Sequence, residues 1–210
     1  LAAQAKRFPL SSFVKGLPLS PFTGRIRVSG SRFDVLSPHA SLVADAQVKA
    51  LHYETYDLSG IVLQAKLRGQ QAHATFHTSN ALFTTNGTLD ATIGRSHYDV
   101  RLVADVPSVN LMKLGMTKDT LEAGTYVELQ ARTNKAFSAY KLEGSLRRNH
   151  FSSPKRSTMA KDITFDFASS RDTTSAHIEA GDLRLALGSK GNVAHLANHS
   201  SRFARMLSQQ

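Results

Sequence analysis

Apolar and polar residues alternate with a period of two along most of this chain, and no other feature constrains its fold as much. Between residues 61 and 68 the odd positions hold Ile61, Leu63, Ala65 and Leu67, with Val62, Gln64, Lys66 and Arg68 between them. Successive side chains of a strand point to opposite faces, so this segment reads as a strand with one apolar and one mostly polar face. The pattern returns at Ala72, Ala74 and Phe76, at Leu89, Ala91 and Ile93, and at Tyr98, Val100, Leu102 and Ala104. It continues at Val127, Leu129 and Ala131, at Tyr140, Leu142 and Leu146, at Ile163, Phe165 and Phe167, at Ala176, Ile178 and Ala180, and at Leu183, Leu185 and Leu187.

Turn residues punctuate these runs. Asn86-Gly87, between Phe83 and Leu89, predicts a hairpin, because both central residues of a type I′ turn need positive φ. Gly69-Gln70, Gly94-Arg95-Ser96 and Arg171-Asp172-Thr173 predict tight connections, and strands joined this way form an antiparallel meander. Pro107 near its start and Gly115 at its end predict a short helix over 108–115. Beyond Asn192, Val193, Leu196, Ala197, Phe203, Ala204 and Leu207 fall at helical spacing and predict an amphipathic helix over 192–208. Residues 1–23 hold three prolines and read as a helix end or irregular lead-in. The stretch 148–160 reads as a mobile loop. The expected organisation is a lead-in over 1–23, a curved sheet over 24–191 and a terminal helix over 192–210.

An apolar strand face must be buried somewhere. A sandwich or a closed barrel buries it inside the protein. A long sheet curled along its length leaves it lining an open channel instead. With no tryptophan and 8% aromatic residues, the inward positions are nearly all Leu, Ile, Val, Phe and Ala, which leans toward the open form.

The chemistry legible in the sequence is sparse. The absence of cysteine excludes disulfides, thiolate metal sites and a Cys nucleophile. No GxSxG elbow and no GxGxxG or phosphate loop is present, and the carboxylates fall mostly at solvent-facing strand positions, so a non-enzymatic role is expected. His73 and His77 share a strand face, and His195 and His199 are one helical turn apart, but neither pair has an evident third ligand; surface histidines and no metal or cofactor are expected. No apolar run is long enough to cross a bilayer as a helix. The chain begins at Leu1 and reads as a piece of a longer protein. A formal charge of +10 favours anionic partners. Arg147, Arg148, Lys155 and Arg156, near His150, are candidates for anionic head groups, against the alternative of a solvated loop. Only Phe151 is interleaved with these charges, so nucleic acid is not the expected partner.

Several of these segments, in their order, resemble the TamB family of AsmA-like proteins. Tyr56 through Leu67 is similar to the family's repeating strand signature, which continues through Ala72–Phe76, Asn80-Ala81-Leu82 and Asn86-Gly87-Thr88-Leu89-Asp90. Gly24 through Gly30 resembles another repeat start, and Val109 through Met116 resembles a short helical insert. Ser170 through Thr174, then Gly181-Asp182-Leu183 and a helix, is the most particular likeness. The resemblance implies a segment of a protein anchored in the inner membrane of a Gram-negative bacterium and crossing the periplasm. It implies a taco-shaped, apolar-lined trough that moves phospholipid between inner and outer membranes and supports outer-membrane biogenesis. It also implies a TamA-like Omp85-type partner, reached through other parts of the full-length chain. Acyl chains are then expected over Ile61, Leu63, Leu67, Ala74, Phe76, Leu89 and Ile93, over Val100, Leu102, Val127, Leu129, Leu142 and Leu146, and over Ile163, Phe165, Phe167, Ile178, Leu183, Leu185 and Leu187. The alternative is a protein-binding module that accepts a client strand by β-augmentation during insertion of outer-membrane β-proteins.

Overall fold

The computed structural model describes residues 2–8, 20–32, 37–54, 56–94 and 96–191, the first of these by its backbone, and among them it contains strands and turns but no α-helix. The strands are β1 (Ala2–Phe8), β2 (Phe22–Ser31), β3 (Ser41–Ala50), β4 (His52–Tyr53), β5 (Tyr56–Asp57), β6 (Val62–Arg68), β7 (Gln71–Ser79) and β8 (Phe83–Ile93). They continue as β9 (His97–Asn110), β10 (Glu122–Asn134), β11 (Tyr140–Ser153), β12 (Arg156–Met159), β13 (Ile163–Ser169), β14 (Thr173–Ala180) and β15 (Leu183–Lys190). Thirteen of them form one antiparallel sheet in the order β1-β2-β3-β6-β7-β8-β9-β10-β11-β13-β14-β15, with β12 paired to the outer half of β11. β4 and β5 form a small separate hairpin in the excursion between β3 and β6.

Sequence neighbours are therefore sheet neighbours, as short turns require. Gly69 and Gly181 open the two-residue connections after β6 and β14, each at φ +60°, where a side chain would be strained. The predicted strands lie within the observed ones apart from Ile61, which precedes β6, and register shifts interrupt the alternation in β9 and β11.

Four local expectations are corrected. Asn86 and Gly87 are not a turn: they lie inside β8 and pair with Asp105 and Ala104. Residues 108–110 are not helical but finish β9, where Val109 pairs with both Phe83 and Ala123; residues 111–115 are a turn. Pro107 is tolerated because the ladder is irregular there: β9 carries an extra residue between its pairings with β8 and β10, and a bulge has no use for the missing N–H. The turn closes when the Asn110 side chain accepts the Lys113 N–H at 2.9 Å. The stretch 148–160 is the end of β11 and the returning β12, whose connection is held by bonds between Ser153 and Arg156. Ala2–Phe8 is a strand rather than a helix end or irregular lead-in, in register with β2. The helix expected over 192–208 lies outside the described residues.

Little of this sheet is sealed. Among the described residues the buried apolar side chains are Phe22, Ala40, Ala74, Leu82 and Ala104, only two of them large. Leu82 and the buried threonines Thr78 and Thr85 mark the end of the strands where the longer loops gather. There Asn80 binds the β4–β5 excursion through the carbonyls of Asp57 and Ser59, and accepts the N–H groups of Leu82 and Phe83.

Candidate functional site

In an antiparallel ladder, directly paired residues lie on the same face of the sheet. The register therefore turns the period-two pattern into rows that cross the strands. One row runs Ile26, Ala46, Leu63, Phe76, Gly87, Ala104, Val127, Leu146, Ile163, Ala180, Leu183. The next runs Val28, Ala44, Ala65, Ala74, Leu89, Leu102, Leu129, Gly144, Phe165, Ile178, Leu185. A third runs Gly30, Leu42, Leu67, Ala72, Ala91, Val100, Ala131, Leu142, Phe167, Ala176, Leu187. None of the three contains a polar side chain. Ten strand-to-strand steps of about 4.8 Å make a band about 48 Å long, measured along the sheet.

Two glycines in the band are there for space. A Cβ on Gly87 would lie 2.5 Å from the Phe76 ring, and one on Gly144 would lie 2.5 Å from the Phe165 ring. Each phenylalanine is the cross-strand partner of its glycine, so the ring lies over it and fills the gap left by the missing side chain. At the turn end the band meets hydroxyls and aromatic rings. Ile93, Tyr98, Thr133, Tyr140, Ser169 and Thr174 form the next row, Tyr140 stacks on Phe167 at 6.1 Å, and Ser169 bonds Thr174 at 3.0 Å.

Of the residues expected to meet acyl chains, all but Ile61 are in these rows; Ile61 precedes β6, and its carbonyl accepts the Val48 N–H. Ala74 alone among them is buried. Leu63, Phe76, Leu89, Leu129 and Phe165 are half-buried, and the far end of the band is open, with Leu183 62%, Leu185 45% and Leu187 50% exposed.

The opposite face is polar and carries contacts of basic side chains with carboxylates, most of them across strands. His73 meets Asp90 at 2.6 Å, His177 meets Asp166 at 2.9 Å, and Asp99 is held by His97 at 2.9 Å and by Arg132. His73, Asp90, His177, Asp166 and Arg132 are solvent-exposed, so water screens these contacts and they add little to stability. The Asp99 carboxylate raises the Arg132 pKa further above its ordinary value by hydrogen bonding and charge. His77 shares the face with His73, but among the described residues no three metal-ligating side chains converge; His195 and His199 lie outside those residues. Definable hollows occur here, such as one of about 410 Å³ beside Lys66, Arg68, His73 and Asp90.

The basic cluster divides in two. Arg147 lies on the polar face, 3.7 Å from Glu128. Arg148 sits at the β11 bulge with φ +53°; its N–H donates to Asp162, and its guanidinium meets Asp105 at 3.1 Å and lies 4.7 Å over the Tyr126 ring. Both are thus committed to carboxylates. Lys155 and Arg156 have no ion-pair partner among the described residues. Lys155 instead shares a hollow of about 600 Å³ with Thr117, Lys118, Asp119, Thr120, Leu121, Ser153 and Pro154. Lys118 was not among the sequence candidates. It stands 37 positions before Lys155, and only the β10–β11 pairing brings their loops together.

Compared with known proteins, the chain matches no family model, no curated protein and no solved structure.

Proposed function

We propose that the apolar face of this sheet is a track for phospholipid acyl chains, in a TamB-like protein of the Gram-negative periplasm that joins inner- and outer-membrane lipid pools. One observation carries the reading: three contiguous rows without a polar side chain cross eleven strands, and among the described residues nothing seals them. Soluble monomers rarely expose an apolar patch larger than a few hundred Å², so a band of this size calls for an occupant. A chain of about 14 methylenes costs about 11 kcal/mol to carry naked through water. A continuous apolar strip removes most of that cost at every step and offers no deep pocket in which to trap the lipid. In the proposed form the sheet curls lengthwise, so that the band lines a trough and head groups project from its seam. No catalytic residue, metal or cofactor enters this mechanism.

The test is native mass spectrometry of the purified chain. Co-purifying phospholipid is expected, and its loss in a folded Leu63→Arg/Leu129→Arg/Phe165→Arg variant. A lipid-free wild-type chain, or a variant that retains its lipid, overturns the proposal. A second reading draws on β15, whose outer edge is unpaired among the described residues and so suits β-augmentation by a client strand. It predicts a peptide cross-linked at Leu183–Lys190, with lipid content unchanged by the arginine substitutions.

A further inference from the structure

At the loop end of the sheet the chain exposes residues that a solvated turn has no need of. The β9–β10 connection, residues 111–121, presents Met112 at 39% and Met116 at 71% exposure. Lys113 and Lys118 are exposed in the same loop. The β11–β12 tip, next to it through the shared hollow, adds Lys155 and Arg156, and Phe151 and Met159 flank it at 40% and 68% exposure. Two carboxylates are close by. Asp119 lines the hollow, and Glu122 accepts a hydrogen bond from Ser108 at 2.9 Å. Lys118 and Lys155 thus share the hollow with Asp119, and Lys113 and Arg156 add two more exposed cations on the same pair of loops, with exposed apolar side chains among them.

We propose that these paired loop tips are a contact for the surface of an anionic phospholipid bilayer. Met112 and Met116 enter the boundary between head groups and acyl chains, and Lys113, Lys118, Lys155 and Arg156 hold lipid phosphates. Methionine suits the task because it is unbranched, apolar and adaptable. The hydroxyls of Thr117, Thr120 and Ser153 donate within the loops, to the Asp119 carbonyl, the Met112 sulfur and the Arg156 carbonyl, so the charges of the lysines and Arg156 carry the phosphate contact. The contact depends on loops at the strand ends and not on the apolar rows, so it stands or falls separately from the acyl-chain track.

The experiment is co-sedimentation of the full chain with phosphatidylcholine vesicles, with and without phosphatidylglycerol. Binding is expected only with the anionic lipid, weakening as salt rises. Each charge reversal in the series Lys113→Glu, Lys118→Glu, Lys155→Glu and Arg156→Glu, a change of two charges, lowers the partition about thirtyfold. Met112→Ser/Met116→Ser lowers it about tenfold at unchanged charge. A charge-matched control on the strands, Lys49→Glu/Lys66→Glu/Arg68→Glu/Lys190→Glu, retains most of the binding, as does the folded Leu63→Arg/Leu129→Arg/Phe165→Arg variant. Failure to bind anionic vesicles at low salt overturns the proposal, and so does an equal loss in the strand control. Equally tight capture of a short DNA duplex, with the methionine variant indifferent, overturns it in favour of general polyanion binding.

Discussion

Leu82 and Leu183 are the same side chain in two regions with opposite fates. Leu82, in the connection between β7 and β8, is 8% exposed; Leu183, opening β15, is 62% exposed. Sequence hydrophobicity cannot tell them apart. The difference is made by what lies over each one. Around Leu82 the loops interlock: its carbonyl accepts the Asn110 N–H at 2.8 Å, and Asn80 joins the same spot to the β4–β5 excursion. Over β14 and β15 no described element packs. Among the described residues there is therefore a small core at the loop end and a long apolar face whose large side chains are half-buried or open.

Substitution is the sharpest way to break this comparison. Leu82→Ala leaves a cavity among fixed loops and should destabilise the fold by about 2–4 kcal/mol. Leu185→Ala removes the same atoms from an open strip, 45% exposed, and should cost under about 1 kcal/mol. Equilibrium urea unfolding of the two variants measures both values. Equal losses would mean that the β15 strip is covered as well as Leu82 is, and the open-band reading would go with them.

A smaller effect separates a packed glycine in the band from an open one on the opposite face. Gly87→Ala forces a Cβ against the Phe76 ring and against the Val103 carbonyl, both 2.5 Å from its ideal position, and should cost about 1–3 kcal/mol. Gly188, in β15, has nothing within 4 Å of such a Cβ, so Gly188→Ala should be neutral or slightly stabilising in a strand. If Phe76→Ala relieves part of the Gly87→Ala penalty in a double-mutant cycle, the ring is the obstacle; strict additivity points to the carbonyl.

These contrasts also mark how far the sequence was readable. Alternation located the strands and the polar and apolar faces, because period two is a property of each strand alone. Asn86-Gly87 and Pro107 misled because their usual local meanings, turn and helix start, were overruled across the sheet. Gly87 makes room for Phe76, and Pro107 sits where the β9 ladder is already interrupted. The stretch 148–160 has loop-like composition, yet His150 through Ser153 find partners in Arg156 through Met159. Arg147 and Arg148 looked free because Glu128 and Asp105, which engage them, lie on other strands. Lys118 was missed for the same reason in reverse, since its neighbour Lys155 is local only in space.

The smallest effect tests whether the loop end owes its order to polar bonds as well as to Leu82. Asp57 accepts the Ser59 N–H at 2.8 Å and the Ser59 hydroxyl at 2.9 Å, while Asn80 bonds the carbonyls of the same loop. The Ser59 backbone bond, then its hydroxyl bond, hold the Asp57 carboxyl below its usual range; slight burial opposes the shift and His52 assists it. A depressed carboxylate contributes stability that is fully present above the unfolded pKa of about 3.9 and is lost as pH falls through the lower folded value. Because Asp57 is exposed, Asp57→Asn should cost less than about 0.5 kcal/mol near neutral pH. The gap between wild type and variant should then close below about pH 4, as the native carboxyl takes up its proton. Urea midpoints measured from pH 7 down to pH 3 follow that closure. A gap that stayed constant over the range would assign the loss to shape rather than charge, leaving Asn80 and the packing of Leu82 as what orders this end of the sheet.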